Sequence, residues 1–261
     1  MRPGESFEHR AVADYYRYRP EYPPAMYNHL ASISKGGGRL LDIGCGTGKI
    51  ARGLSEAFTE VTAIDASAEM LRVAQDLQSP HVNNITWLHG QAEKVELQGK
   101  PIDLIVAAAS IHWMDHPVLF PRVRAHSSPQ HVFAVVDGDG AHHPPWQSEW
   151  HEFLAKWIHD LTGAAYEPDN KNSLFNQHMS RHLELLNVDG ETSFDHEVTQ
   201  TIEEFCFCQH SRDTFAPAKL GEQLRNFDDE LSALLAPHST EGVLTYTVRT
   251  DVTWGTIKEG E

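Results

Sequence analysis

The run Leu40-Leu41-Asp42-Ile43-Gly44-Cys45-Gly46-Thr47-Gly48 constrains this chain more than any other. Leu40, Leu41 and Ile43 predict a strand, and the glycines at alternate positions break it at once. A helical pattern opens at Lys49. A strand, a tight glycine turn and a helix N-terminus together make a cradle for a nucleotide-type cofactor. Glycine lacks a Cβ, so the backbone can approach a ligand closely. The helix end adds unpaired N–H groups that suit an anion.

Glycine spacing narrows the choice of cofactor. The dinucleotide fingerprint runs G-x-G-x-x-G. Here the glycines fall as G-x-G-x-G, Lys49 stands where the third would be, and Asp42 sits two places before the first. This D-x-G-x-G-x-G run resembles motif I of class I S-adenosylmethionine-dependent methyltransferases. The resemblance implies that Asp42, Gly44, Cys45, Gly46 and Gly48 hold the methionyl part of S-adenosyl-L-methionine. That part carries an ammonium and a carboxylate but no pyrophosphate, so an acid beside the turn makes chemical sense.

Composition sets outer bounds. At 261 residues the chain suffices for one large domain, or one domain with an insertion. No apolar stretch reaches the roughly 20 residues of a membrane helix. The start, Met-Arg-Pro-Gly-Glu-Ser, lacks a secretory apolar region. With 3 cysteines, one of them inside the glycine turn, a cytoplasmic, reducing location is expected. A formal charge of −16 disfavours nucleic acid as a partner.

Periodicity predicts the elements. Pro23 and Pro24 suit the first turn of a helix carrying Met26, Leu30 and Ile33. Ile50, Leu54 and Phe58 step along a helix after the turn. Strands are expected at 61–64, 85–88, 102–108, 131–136, 193–198 and 243–253, with Ser67 capping a helix between the second and third. Trp146, Trp150, Phe153, Trp157 and Leu161 mark a helix ending at Gly163, and a weaker one follows near 175–186. Thr201 and Glu204 form a capping box. Leu220, Leu224, Phe227, Leu231 and Leu234 mark the last helix. Alternating strands and helices indicate a doubly wound α/β sheet, and the resemblance implies seven strands with an antiparallel final hairpin. Four segments are expected: a helical lid over 1–34, a cofactor-binding core over 35–138, a helical substrate cap inserted after the fifth strand over 139–190, and completing strands and helices over 191–261.

Candidate site residues follow the strand ends. Asp65 closes the second strand, where an acid either accepts the ribose hydroxyls or balances a helix N-terminus. The resemblance places Met70 against adenine, with core packing as the alternative. It also puts Gln91 and Ala92 at the adenine edge; otherwise they form a surface turn. Ala108 ends the fourth strand and is expected to line the cofactor site. The Ile-His-Trp-Met-Asp that follows at 111–115 is similar to the segment of trans-aconitate-type small-molecule methyltransferases. His112 then either takes a proton from the acceptor or only hydrogen-bonds it. The base-modifying Asp/Asn-Pro-Pro-aromatic motif and the acidic metal ligand of catechol-type enzymes are both missing here, so no metal is expected.

A second run, Asp14 to Pro23, is similar to the N-terminal Tyr-x-x-Tyr-Arg-Pro-x-Tyr-Pro stretch of bacterial type 11 methyltransferases, including antibiotic-tailoring ones. It implies a lid in which Arg19 grips the methionyl carboxylate and Tyr15 and Tyr18 face the sulfonium. Cys206, Cys208 and His210 lack a second ligand pair, so buried thiols are expected rather than a metal site. Asp137, Asp139, His142 and His143 read as a polar loop, with a substrate or metal role as the alternative. The expected activity is methyl transfer to oxygen or nitrogen of a small molecule, in natural-product chemistry. The alternatives are an NAD(P)-dependent oxidoreductase, or a non-catalytic protein that binds a nucleoside cofactor.

Overall fold

A computed structural model describes residues 4–35, 37–166 and 181–259. The strands are β1 (Arg39–Ile43), β2 (Glu60–Asp65), β3 (Ile85–His89), β4 (Ile102–Ala108), β5 (Ser127–Asp137), β6 (Leu186–Thr201) and β7 (Val243–Ile257). They form one seven-stranded sheet of order β3-β2-β1-β4-β5-β7-β6. The pairs from β3 through β5 are parallel, whereas β5 and β7 run antiparallel. This is the expected α/β architecture with its antiparallel ending.

The helices are α1 (Arg10–Tyr15), α2 (Pro24–Ile33), α3 (Lys49–Leu54), α4 (Ala68–Asp76), α5 (His116–Ala125), α6 (Gln147–Thr162), α7 (Ile202–His210), α8 (Pro217–Leu220) and α9 (Leu224–Leu235). Ser67 caps α4 through a bond from the Met70 amide. Thr201 and Glu204 make the full reciprocal capping box of α7. The helix expected over Ile50–Phe58 is shorter than its pattern: α3 stops at Leu54 and passes into a 3-10 turn, Ser55–Ala57. Likewise β6 and β7 extend well past 193–198 and 243–253. Of the weak helix near 175–186, Arg181–Leu185 is a 3-10 turn and the remainder before it lies outside the described residues. Among the described residues no helix is long and apolar enough to cross a membrane.

The chain divides into two units, one drawn from Met1–Pro20, Asp139–Ser173 and Asp195–Arg249, the other from Glu21–Gly138, Leu174–Phe194 and Thr250–Glu261. The four sequence segments are therefore regrouped. The first is cut at Pro20, because Met26 and Leu30 of α2 belong to the core of the sheet unit. Most of the last joins the helix after β5, because Trp157 of α6 packs on Phe227 of α9, their rings 5.1 Å apart.

In the sheet unit, period-2 alternation sends successive residues into opposite layers. Leu40, Leu104, Val106, Ala134 and Val136 share one core with α2 and α3. Leu41, Ile43, Ile105, Ala107, Phe133 and Val135 share the other with Leu119, Phe120 and Val123 of α5. Strands apolar on both faces are what a doubly covered parallel sheet requires. The smaller unit has a core of its own around Trp146, Phe153, Trp157, Phe205 and Phe227.

Candidate active site

The candidate strand-end segments of the sheet unit lie on one edge, because parallel pairing aligns the carboxyl ends of β1 to β4. Ile43 pairs with Ile64, Asp65 with His89, and Asp42 with Val106. The glycine turn leaves β1 with Gly44, Gly46 and Gly48 at φ values of 65°, 52° and 77°. Side-chain-bearing residues rarely adopt this region, which is why the motif alternates glycine. Space makes the same demand. A Cβ on Gly44 would sit 2.5 Å from Ser110 Cβ, and one on Gly48 would sit 2.4 Å from the Trp87 ring. The turn is held by the Cys45 amide donating to Ile64 O at 2.9 Å and by Arg52 donating to Thr47 O.

Two carboxylates meet this turn. Asp65 accepts from the Gly46 amide at 2.7 Å through Oδ2 and from the Ser67 amide at 2.8 Å through Oδ1. Burial raises its pKa, and the two amides oppose that rise. Asp42 is 1% exposed. Its Oδ2 accepts from the Ala51 amide at 3.0 Å, whereas its buried Oδ1 has no hydrogen-bond partner among the described residues. Burial pushes this carboxyl up to about 7. A buried acceptor without a donor is costly. The unpartnered Asp42 oxygen beside the turn suits a cationic donor, whose charge would favour the ionised carboxylate that burial disfavours. The residues present thus fit an amino-acid tail with an ammonium. Cys45 is buried, its thiol pushed well up by that burial, so it acts as a packed side chain and not as a nucleophile.

The remaining strand ends surround the turn. Met70 is 2% exposed, one turn into α4. Gly90 donates its amide to Asp65 O at 2.9 Å, which links the turn after β3 to the candidate ribose acid. Gln91 is exposed, while the Ala92 side chain packs into the core with Ile64 and Leu97. After Ala108, Ala109 adopts φ 49°, a strained conformation for alanine, with its amide held by Val136 O at 2.8 Å. Strain of this kind collects at functional turns. Ser110 then donates to Ile43 O at 2.7 Å and seals β4 against the glycine turn. His112 and Trp113 sit on a 3-10 turn, their rings 4.7 Å apart, with Trp113 46% exposed. Nothing in an Ala-Ala-Ser sequence announces either the strain at Ala109 or the seal at Ser110.

Tyr15, Tyr18 and Arg19 belong to the other unit. Tyr15 stacks on Phe207 at 5.2 Å and lies 5.6 Å from the His210 ring, and Tyr18 lies 5.0 Å from Phe207. The Arg19 guanidinium is engaged: Nη1 donates to Asp139 at 3.0 Å, and Nε and Nη2 donate to the Ser211 hydroxyl and carbonyl. Asp139 also takes Arg212, a pairing that the sequence does not signal. Cys206 and Cys208 are buried, as expected. Among the described residues no group of three His, Cys, Asp or Glu side chains is arranged to hold a metal ion.

Comparison with known proteins bears on the family and the fold. Residues 40–130 match a family described as a methyltransferase domain. Over 69% of its length the chain is 28% identical to a protein of Saccharomyces cerevisiae described as a probable S-adenosylmethionine-dependent methyltransferase, covering 60% of that protein. It is 36% identical over 100 residues to trans-aconitate 2-methyltransferase of Deinococcus radiodurans, covering 37% of this chain and 36% of that one. The chain thus spans less than two thirds of the length of these curated relatives. A solved structure from Anaeromyxobacter dehalogenans, described as a candidate type II methyltransferase, shares the fold with a TM-score of 0.67 at 23% identity, over 93% of this chain and 99% of that one.

Proposed function

We propose, from the match of residues 40–130 to a methyltransferase domain, that this protein uses S-adenosylmethionine to transfer a methyl group to an oxygen or nitrogen of a small molecule. The supporting observation is Asp42 Oδ1, a buried carboxyl oxygen with no donor among the described residues, on the residue two places before a positive-φ glycine turn. It suits the ammonium of the methionyl tail. Asp42 and Gly44 to Gly48 would hold that tail, Asp65 the ribose, and Met70, Gln91 and Ala92 the adenine. Tyr15, Tyr18 and Arg19 are proposed as the lid.

The cofactor, when bound, supplies a methyl group on a sulfonium, already activated for displacement. The chain's task is therefore alignment and exclusion of water, where proximity supplies most of the rate. An acceptor arriving as a hydroxyl or an ammonium must also lose a proton, and His112 is our candidate to accept it. Trp113, partly exposed beside it, offers an aromatic face to the acceptor. The three free, buried cysteines suit a cytoplasmic setting. The resemblance of Asp14 to Pro23 to type 11 methyltransferases, antibiotic-tailoring ones among them, is what supports a tailoring role in secondary metabolism.

Calorimetry with S-adenosylmethionine, S-adenosylhomocysteine and NADH tests the cofactor. Heat is expected with the first two and none with NADH; the reverse selects an oxidoreductase. Transfer of labelled methyl into a metabolite extract then tests the reaction. Tight cofactor binding without any labelled product would favour a binding protein.

A further inference from the structure

We propose that Trp87 is a positioning residue for the cofactor turn: its indole, fixed by Gln78, presses on Gly48 and holds the third glycine in place for the ligand. The inference rests on the methyltransferase reading of the turn, and all three residues lie in the sheet unit.

Gly48 ends the turn and caps α3, at φ 77° and ψ 31°. Its amide donates to Cys45 O at 2.8 Å, and its carbonyl accepts from the Arg52 amide at 2.9 Å. The first bond closes the turn and the second starts the helix, so both backbone groups are engaged along the chain itself. Glycine has no side chain to anchor. What remains to fix its place is contact across its bare Cα, and Trp87 supplies that contact from β3. A Cβ on Gly48 would overlap Cη2 and Cζ3 of the indole, with Ala74 Cβ of α4 the next nearest atom at 3.3 Å. The six-membered part of the ring therefore lies against the glycine.

The indole is also fixed in orientation. Its Nε1 donates to Gln78 Oε1 at 2.6 Å. Gln78 lies two residues past the end of α4, and its Nε2 donates in turn to Val82 O at 2.5 Å. One end of this side-chain amide thus holds Trp87, and the other holds the backbone that leads into β3. Rotating the indole would strand its half-buried N–H and leave Gln78 Oε1 without that donor. Filling this layer of the core needs neither the reach of an indole nor its N–H, since leucine or phenylalanine is equally apolar. A turn that meets its ligand with several backbone groups does need rigid support, because groups already in place lose no freedom on binding.

The test titrates S-adenosylhomocysteine by calorimetry into wild type, Trp87→Phe, Gln78→Met and Gln78→Glu, with the urea midpoint of each measured alongside. Trp87→Phe removes the far edge of the ring and the N–H. Gln78→Met keeps the ring but removes its acceptor, whereas Gln78→Glu keeps an acceptor oxygen. Thr201→Ala, in the other unit, is the control that loses stability away from the turn. Affinity should fall roughly tenfold in Trp87→Phe and Gln78→Met. It should recover in Gln78→Glu and stay at the wild-type value in Thr201→Ala. The Trp87 indole N–H resonance, assigned by its loss in Trp87→Phe, should shift when the ligand saturates wild type. Gln78→Met leaves the indole present, so it carries the test if Trp87→Phe fails to fold. Lower urea midpoints with wild-type affinity in Trp87→Phe and Gln78→Met would make Trp87 a core residue only and overturn the proposal. An equal loss of affinity in Gln78→Glu and Gln78→Met would detach the effect from the indole bond and overturn it as well. Absence of S-adenosylhomocysteine binding by folded wild type would remove the methyltransferase reading, and this role with it; binding by wild type with no difference among the variants would remove the role alone.

Discussion

Asp65 Oδ2 accepts a hydrogen bond from the Gly46 amide at 2.7 Å, which ties the end of the second strand to the middle of the glycine turn. The same carboxylate takes the Ser67 amide at the start of α4. One side chain thus organises both the turn and the next helix. Asp65→Ala leaves two amides without acceptors and should cost about 1–3 kcal/mol of stability. S-adenosylhomocysteine affinity should fall roughly tenfold or more. Urea unfolding and calorimetry on the same variant check both; unchanged affinity would remove Asp65 from the cofactor site.

The glycines differ in what they tolerate. Gly37, at φ 79°, has nothing within 4 Å of where a Cβ would stand. Gly37→Ala therefore meets only backbone strain, about 1 kcal/mol. Gly44 adds a collision with Ser110 to the same strain. Gly44→Ala should cost roughly 3 kcal/mol or more. Denaturation midpoints for the pair measure the difference, and equal midpoints would contradict the packed turn.

Asp42 gives stability an unusual pH dependence. Its carboxyl sits up at about 7 in the fold because it is buried. In the unfolded chain it titrates near ~4. Between those values the folded state keeps a proton that the unfolded chain has released, so this group's contribution falls as pH rises. Asp42→Asn should therefore gain stability relative to wild type on going from pH ~4 to pH ~7, by an amount on the order of a few kcal/mol. Unfolding curves at both ends of that window decide the matter; a gap of constant size would show the carboxyl to be ordinary.

His112→Ala should reduce turnover at least roughly a hundredfold, the lower end for a general base. Cofactor affinity should stay near that of wild type. Single-turnover kinetics with an identified acceptor, set beside calorimetry, make the separation. Equal turnover in the two proteins would take His112 out of the mechanism.

The capping box at α7 offers a test in the smaller unit. Thr201 Oγ1 accepts from the Glu204 amide at 3.1 Å, while the Glu204 carboxylate takes the Thr201 amide at 2.9 Å. Thr201→Ala should cost about 1 kcal/mol. The urea midpoint should move without a change in slope; a steeper or shallower slope would point to a wider rearrangement.

Legibility followed the range of the interactions. The glycine turn, the strand runs, the Ser67 cap and the Thr201–Glu204 box were readable because each is written in neighbouring residues. Helix α5 was not. Pro117 suits its first turn, but Pro121 interrupts its interior, and only packing of Leu119, Phe120 and Val123 beneath the sheet declares it. Residues 131–136 marked the buried half of β5; the start of the strand is polar, and pairing of Ser127 with Ile102 recruits it.

The sequence alone determined the class of fold and the glycine turn proposed to seat the cofactor, since backbone freedom at Gly44, Gly46 and Gly48 is a local property. Only the tertiary structure decided the states of the charges. Asp42 is raised because strands from distant parts of the chain exclude water from it. Asp139 and Arg212 meet across 73 residues, and Arg19 is committed to that pair rather than standing open. Desolvation and charge pairing depend on what surrounds a group in space, and no local pattern encodes those surroundings.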